Sequence, residues 1–240
     1  QDVEFVNGLL DFIKNSPTPY HAVKIMSNIL ERAGFTRLQE NDQWSLQSRQ
    51  QGEGFYVTRN DSSIIAFRLN NSPVDNGIRM LGAHTDSPCL KVKPNPEIIN
   101  NHYLQLGVEV YGGALLNPWF DRDLSLAGRV SFLNKDGAID NQLINMEKAI
   151  AVIPSLAIHL DSEVNSNRSI DQQKHLPPVL MKLPLNEVET QADFKAVLLK
   201  IVNAAIEQAD VKQSPAVKVL DYELSFYDVQ PPAVIGLHDD

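Results

Sequence analysis

The stretch Ile78-Arg-Met-Leu-Gly-Ala-His84-Thr-Asp86-Ser-Pro88 joins a short apolar run to a histidine and an aspartate. The run is apolar enough to predict an interior strand over residues 78–84, covered on both faces as in a parallel sheet. Such a strand delivers His84 at its C-terminal end, which is where open α/β sheets keep their active sites. The stretch therefore predicts the α/β class and a functional site around His84.

The spacing from His84 to Asp86 is typical of the way several metallohydrolases present a metal ligand. One imidazole nitrogen binds the metal, and a carboxylate two residues on orients the ring or a neighbouring catalytic group. The pattern is short and occurs often by chance. A histidine held by hydrogen bonds at the end of a strand is therefore the alternative interpretation.

The sequence before this stretch predicts two helices and two strands. Apolar residues at helical spacing start at Val6, and a second helix is bounded by Thr18-Pro19 and by Gly34. Thr18 would cap this second helix, and Pro19 fits its first position because no N–H is needed there. Residues 54–59 and 63–69 are predicted strands, separated by a turn at Asn60-Asp61.

The sequence after Pro94-Asn95-Pro96 changes to alternating apolar and polar residues, which indicates strands with one wet face. The predicted elements are strands over 104–110 and 124–132, a strand pair over 149–160 broken at Pro154, a helix over 191–208 and a strand over 219–227. The change in pattern near Lys93 is the best candidate for a domain boundary.

Composition limits the classes of function. The chain has 240 residues with Lys+Arg 21 against Asp+Glu 30, a formal charge of −9, which disfavours a nucleic-acid partner. The single cysteine, Cys89, suits a reducing compartment. The longest apolar runs are far shorter than the roughly 20 residues that span a bilayer. The first residues lack a basic signal-peptide region. These observations predict a soluble, cytoplasmic protein with no membrane partner.

Other candidate residues have weaker support. His159 lies in an apolar run, where a packed core or interface residue is the default interpretation. Asp121-Arg122-Asp123 lies between two predicted strands and by default is a turn with a local ion pair. Cys89 lacks the electropositive setting of a nucleophilic thiol. The remaining candidates are expected in helix-face, surface, turn or terminal positions: His21, His102, Asn60-Asp61-Ser62 and His238-Asp239-Asp240.

Several longer segments together resemble the aspartyl aminopeptidase family of two-zinc metallopeptidases. The first two are Asn15-Ser-Pro-Thr-Pro-Tyr-His21 and Gly82-Ala-His-Thr-Asp-Ser-Pro-Cys-Leu-Lys-Val-Lys-Pro94. The others are Val108-Glu-Val-Tyr-Gly-Gly-Ala114, Pro118-Trp-Phe-Asp-Arg-Asp-Leu-Ser-Leu-Ala-Gly-Arg129, residues 153–160, and Glu223-Leu-Ser-Phe-Tyr-Asp-Val-Gln-Pro-Pro232. They follow the family order and cover nearly the whole chain.

The resemblance implies roles for three residues. His84 would be a ligand of one Zn²⁺ in a two-zinc site, and Asp86 the carboxylate that orients the catalytic machinery. His159 would reach from a second domain toward the active site of a neighbouring subunit. The implied reaction is hydrolysis of the N-terminal peptide bond of peptides, with acidic first residues preferred. A glutamate base would deliver a water that the two zinc ions acidify.

The resemblance also implies an architecture and partners. Residues 1–92 would start an α/β/α catalytic domain, 93–225 would form an inserted β-rich dimerisation domain, and 226–240 would return to the catalytic domain. The partners would be peptide substrates and further copies of the chain, as a dimer or a dodecamer. The family carries its remaining zinc ligands and its glutamate base in a later half that this sequence lacks. This chain alone is therefore predicted to be inactive and not to retain zinc.

Two functions of other classes stay open. The chain could act as a non-catalytic assembly module through its β-rich part, or as a metal-free peptide-binding domain that kept the fold without the chemistry. The strand predicted over 78–84 is apolar on both faces, and part of the structure that would bury it is expected to be missing from this chain. We therefore expect the isolated chain to be oligomeric or prone to aggregation.

Overall fold

The structure, a computed structural model, describes residues 2–45, 52–69, 77–184, 193–209 and 213–236. The chain divides into two compact units. Unit 1 comprises Gln1–Ser87 and Pro232–Asp240, and unit 2 comprises Pro88–Pro231. The catalytic and dimerisation roles given above to residues 1–92, 93–225 and 226–240 stay predictions. The described elements are both helical and extended, which confirms the α/β class.

Unit 1 begins with the two predicted helices, α1 (Asp2–Lys14) and α2 (Pro19–Arg32). Thr18 is the N-cap of α2 in extended conformation, and Pro19 follows it, as predicted. The Thr18 side chain makes no capping hydrogen bond to the helix. Gly34 has a φ of 81°, the left-handed conformation that glycine adopts after a helix. Local signals therefore define both ends of α2.

Unit 1 continues with a three-stranded sheet of β1 (Thr36–Arg37), β2 (Gly54–Arg59) and β3 (Ser63–Arg68), in that order. β1 is parallel to β2, and β2 is antiparallel to β3. The turn between β2 and β3 has positive φ at Asn60 and Asp61, 53° and 51°, as tight hairpins require. This confirms the predicted hairpin.

The interior strand predicted over 78–84 is wrong for this structure. Residues 77–84 have no strand assignment, and they are exposed. Ile78, Met80 and Leu81 are 73%, 86% and 104% exposed. The physical reason is that a strand needs a neighbour for its backbone hydrogen bonds, and no described strand pairs with this segment.

Unit 2 is built on a six-stranded antiparallel sheet. Its strands are β4 (Cys89–Asn100), β5 (Tyr103–Tyr111), β6 (Leu124–Asn134), β7 (Ile139–Asn145), β8 (Val179–Lys182) and β9 (Ala216–Asp228). Among the described residues their order in the sheet is β7-β6-β9-β4-β5-β8. The predicted strands over 104–110, 124–132 and 219–227 are confirmed. β4 passes through the sequence change at Pro94–Pro96, and its register against β5 shifts between Val92 and Glu97.

A long helix packs against this sheet. The helix α4 (Phe194–Gln208) buries Phe194, Leu198, Val202 and Ile206 on one face, at the spacing that the sequence predicts. The Asp193 carboxylate caps it by accepting the Ala196 N–H at 3.0 Å. Residues 191 and 192 of the predicted helix lie outside the described residues. A shorter helix, α3 (Gln172–His175), precedes β8.

The core of unit 2 is one contiguous cluster. It joins the inner faces of the strands to α4, and its fully buried members include Leu90, Leu106, Leu124, Leu126, Val130, Phe132, Leu176, Leu198 and Val202. The strand pair predicted over 149–160 is wrong in its second half. Ala151, Val152 and Ile153 form isolated bridges, whereas residues 154–160 form no strand. Pro154 lacks the N–H that would continue the ladder.

No helix among the described residues is long and apolar enough to cross a membrane.

Candidate functional site

The structure brings His84 and Asp86 together in unit 1. The Nδ1 atom of His84 lies 2.8 Å from the backbone oxygen of Asp86 and 3.4 Å from its carboxylate Oδ1. Both side chains reach solvent, with 80% of His84 and 42% of Asp86 exposed. The two-residue spacing thus folds the carboxylate back onto the imidazole.

Thr85 holds this pair against the sheet of unit 1. Its Oγ1 donates a hydrogen bond of 2.7 Å to the backbone oxygen of Ser62, in the turn between β2 and β3. The residues before and after Thr85 belong to an irregular, largely exposed segment. This side-chain hydrogen bond therefore fixes the segment at the point where His84 and Asp86 lie.

The imidazole geometry fits one ligand of a zinc ion. A proton on Nδ1 can be donated to the Asp86 backbone oxygen, which leaves the Nε2 lone pair for a metal. Metal-ligating histidines are held by such a second hydrogen bond. A zinc site, however, usually has about three protein ligands. The described part of the chain contains no group of three or more His, Cys, Asp or Glu residues that could hold a metal ion. His84 and Asp86 therefore fit one ligand of a zinc site and the group that orients it.

His159 belongs to the other unit. It is exposed in a turn that is closed by a hydrogen bond of 2.8 Å from the Leu160 N–H to the Ala157 oxygen. Leu156, Ile158 and Leu160 beside it are 59%, 47% and 75% exposed. The composition of this run favoured a packed residue, but His159 is not part of the unit 2 core. Its imidazole is available to another molecule.

The turn containing Asp121 has a role that the sequence did not indicate. No ion pair forms between neighbours there; Arg122 reaches Asp228 instead, with Nη1 3.0 Å from Oδ2. Asp121 accepts the Ser155 N–H at 2.8 Å, at the start of the segment that carries His159. These partners are 106 and 34 residues apart, so the local pattern could not reveal them. Asp121 also has a positive φ of 60°, which is uncommon for a residue other than glycine.

The other candidates have structural roles. His21 is half-buried, and its Nδ1 lies 2.8 Å from Thr18 Oγ1. Burial, and to a lesser extent the charge of Lys24, lowers the pKa of His21 to about 4. The Sγ of Cys89 lies 3.4 Å from the Ser225 hydroxyl. Asn60 forms the hairpin turn. His238 and the two residues after it lie outside the described residues.

The sequence matches a known protein family. Residues 12–240 match the family described as "Aminopeptidase I zinc metalloprotease (M18)". A curated relative from Pseudomonas savastanoi pv. phaseolicola, named "Probable M18 family aminopeptidase 2", is 53% identical over 239 residues. The match covers 99% of this chain and 52% of the relative, so the chain spans about half the length of the curated relatives it matches.

The fold matches solved structures of the same kind. One is the mApe1 structure from Chaetomium thermophilum, with a TM-score of 0.80, 30% identity, and coverage of 98% of this chain and 53% of that one. Another is the S. cerevisiae mApe1 dodecamer, with a TM-score of 0.74 and 25% identity, and coverage of 98% and 50%. The structural match also extends over about half of each neighbour.

Proposed function

This chain belongs to the M18 family of aminopeptidases, and from that premise we propose that the whole protein is a zinc-dependent aminopeptidase. It removes the first residue of peptides by hydrolysing the N-terminal peptide bond, with acidic Asp or Glu preferred as that residue. The observation that carries the proposal is the contact between His84 and Asp86 within a chain that matches the family over residues 12–240.

His84 would hold one of two zinc ions through its Nε2 atom. Asp86 keeps the ring in the tautomer that leaves this nitrogen free, through its backbone oxygen and its nearby carboxylate. Zinc, when bound, supplies a Lewis acid that polarises the scissile carbonyl and makes water more acidic. The other zinc ligands and the glutamate base come from residues beyond those described.

His159 acts in the active site of a neighbouring subunit of a homo-oligomer. Its exposed position in a turn of unit 2 supports this role, since the imidazole is free to reach another copy. An imidazole N–H can donate a hydrogen bond to a peptide carbonyl as charge develops on the oxygen. The dodecamer of the S. cerevisiae neighbour supports an oligomer for this protein.

The first experiment compares the whole protein with the 240-residue chain. Both are assayed with zinc on aminoacyl p-nitroanilides that carry Asp, Glu, Ala or Lys. The whole protein should hydrolyse the acidic substrates fastest, and the chain alone should show no turnover. Equal rates on all four substrates would remove the acidic preference. Clear turnover by the purified chain would show that one complete active site lies within it.

The second experiment tests the residue roles in the whole protein. His84→Ala should lower the zinc content measured by mass spectrometry and abolish activity. Asp86→Asn should lower kcat by about 100-fold or less with most of the zinc retained. His159→Ala should lower kcat and leave the zinc content unchanged. His175→Asn, in α3, is the control and should behave as the wild type. Full zinc content in His84→Ala would contradict the ligand role.

A second function, assembly of copies through unit 2, is favoured by the exposed apolar side chains of Leu156, Ile158 and Leu160 on that unit. A module of this kind would associate without zinc and without turnover. Sedimentation velocity of the chain at micromolar concentration should show oligomers, and a monodisperse monomer would contradict assembly through this unit. A protein that binds peptides and contains no zinc would instead be a metal-free binding domain.

A further inference from the structure

We propose that Asp121 and Arg168 are positioning residues that hold the two ends of the segment 155–168, called the His159 loop below, in the geometry its histidine needs. The inference rests on the proposed role of His159. It assigns a function to the turn over residues 117–121, called the anchoring turn below, which touches both ends of the loop.

The first end of the loop is fixed by Asp121. Its carboxylate Oδ1 accepts the Ser155 N–H at 2.8 Å, and its own N–H donates to the Ile153 oxygen at 2.9 Å. Phe120 also forms an isolated bridge with Ile153. The chain therefore leaves the core of unit 2 at Ile153 already bound to the anchoring turn, two residues before the His159 loop begins at Ser155.

The carboxylate of Asp121 is held in its charged form. Hydrogen bonds from the side chain and backbone of Ser155 lower the pKa of Asp121, with a smaller contribution from the charge of Arg168. The backbone at Asp121 has a φ of 60°, a left-handed conformation that Asp and Asn tolerate better than most residues. An aspartate at position 121 therefore provides the hydrogen-bond acceptor and also tolerates the backbone conformation of the turn.

The second end of the loop is fixed by Arg168 on the same turn. Its Nη1 donates to the Asn117 Oδ1 at 3.3 Å, and its guanidinium carbon lies 3.8 Å from the centroid of the Phe120 ring. Phe120 is 9% exposed and belongs to the core, so this ring is a rigid surface for the cation.

The anchoring turn is itself tied to the sheet. Arg122 donates to the Pro118 oxygen at 3.1 Å and pairs with the Asp228 carboxylate, which lies at the end of β9. The Val229 N–H donates to the Asp123 oxygen at 3.0 Å. Both ends of the His159 loop therefore meet a turn whose position is set by β9.

Holding both ends limits the conformations of the exposed residues between them. A loop closed at its base keeps less conformational freedom than one attached at a single end, and less entropy is lost when His159 binds. A small displacement of a substrate-contacting group can reduce a rate by about 100-fold. Asp121 and Arg168 therefore act through His159 and touch no substrate themselves.

The test uses the whole protein and a matched set of variants. Asp121→Ala and Arg168→Met each should lower kcat by about 10- to 100-fold, with KM changed less than about threefold. Asp121→Asn should restore the rate to within about threefold of wild type, because an amide oxygen still accepts the Ser155 N–H and Asn tolerates positive φ. Glu163→Gln, in the middle of the loop, is the control and should leave kcat unchanged.

A double variant separates positioning from a general structural effect. If Asp121 acts through His159, then Asp121→Ala combined with His159→Ala should be no slower than His159→Ala alone. Multiplied losses in the double variant would overturn the inference. If Asp121→Ala does not fold, the same comparison is made with Arg168→Met.

Hydrogen exchange separates failure of this inference from failure of the proposed function. Asp121→Ala should speed exchange of the amides of residues 155–160, and His159→Ala should not. Wild-type kcat in His159→Ala would remove the proposed role of His159 and this inference with it. Wild-type kcat in Asp121→Ala and Arg168→Met, with a slow His159→Ala enzyme, would overturn the inference and leave the role of His159 intact.

Discussion

Unit 1 and unit 2 bury very different shares of their apolar sequence. Unit 2 packs six strands and α4 around one continuous core. In unit 1, the described hydrophobic residues that are buried are Tyr20, Ala22, Val23, Phe55 and Tyr56. The large apolar side chains that unit 1 leaves exposed include Phe5, Leu9, Ile65, Met80 and Leu81.

The difference shows that similar sequence patterns do not lead to similar burial. Both units contain amphipathic helices and apolar strands, and in unit 2 these elements cover one another. In unit 1, β3 is exposed over most of its length, and the segment after it has no described strand beside it. We therefore expect unit 2 to unfold cooperatively on its own and unit 1 to depend on cover from the rest of the whole protein.

The two tryptophans allow each unit to be followed separately. Trp44 lies in unit 1 and Trp119 in unit 2, and the sequence has 2 tryptophans in all. A Trp119→Phe background leaves a reporter in unit 1, and a Trp44→Phe background leaves one in unit 2. Urea unfolding in these two backgrounds therefore reports on one unit at a time.

The largest effect is expected from Gly128→Ala in unit 2. Gly128 has a φ of 155°, and an added Cβ would overlap the backbone oxygen of Glu223 on the neighbouring strand β9. Because a backbone atom cannot move aside as a flexible side chain can, the ladder must shift. We expect the unfolding free energy of unit 2, followed by Trp119, to fall by about 3 kcal/mol or more.

Gly8→Ala in unit 1 is the matched glycine substitution. Gly8 lies within α1, and nothing lies within 4 Å of an added Cβ. Alanine favours the helix by about 0.5–1 kcal/mol, so the helical signal in circular dichroism should rise or stay constant. If Gly128→Ala lowers the unfolding free energy of unit 2 no more than a surface substitution does, the tight contact between β6 and β9 is contradicted.

The next effect is a pH dependence confined to unit 1. His21 is held neutral in the folded state with its pKa at about 4, below the ordinary value of 6.5. The unfolded state binds this proton first as the pH falls. The stability from neutral His21 is therefore complete above about pH 6.5 and is lost as the pH falls toward 4.

His21→Gln tests this dependence. The loss of unfolding free energy between pH 6.5 and 4, followed by Trp44, should be about 1–3 kcal/mol smaller in the variant than in the wild type. Unit 2 does not contain His21, so its Trp119 signal should show the same pH profile in both proteins. Identical profiles at Trp44 would indicate that His21 titrates normally in the folded chain.

A smaller effect is expected at the start of α4. Asp193→Ala removes the carboxylate that accepts the Ala196 N–H, so the unfolding free energy of unit 2 should fall by about 1 kcal/mol. Asp193→Asn keeps an acceptor oxygen and should retain most of the stability. An equal loss in both variants would assign the effect to charge rather than to capping. The start of α2 in unit 1 differs, because its N-cap side chain bonds no helix N–H.

Sequence reasoning succeeded where the physical cause is local. The ends of α2 follow from Thr18-Pro19 and Gly34, and the β2–β3 hairpin follows from its turn residues. The contact between His84 and Asp86 follows from their two-residue spacing. Each of these features needs information from only a few neighbouring residues.

Sequence reasoning failed where the cause is distant in the chain. The local sequence does not predict β7 and β8, because β7 is rich in polar residues and β8 is short. Both are edge strands that form by pairing with β6 and β5. The link between Asp121 and Ser155 spans 34 residues and has no local pattern. The strand over 78–84 is predicted from apolar residues alone. Apolar residues indicate that a segment should be buried, but they do not identify the element that buries it.

The smallest effect is expected from Leu81→Ala, and Leu124→Ala is the matched substitution of a buried leucine. Leu81 is 104% exposed in unit 1, whereas Leu124 is 0% exposed in unit 2. Leu81→Ala should change the unfolding free energy of this chain by less than about 0.5 kcal/mol, and Leu124→Ala should lower it by about 2–5 kcal/mol. In the whole protein we expect Leu81→Ala to move toward the larger value, because further residues would then cover this apolar run. An equally small effect there would mean that the run is exposed in the native protein as well. In that case these apolar side chains would be available for contact with another molecule.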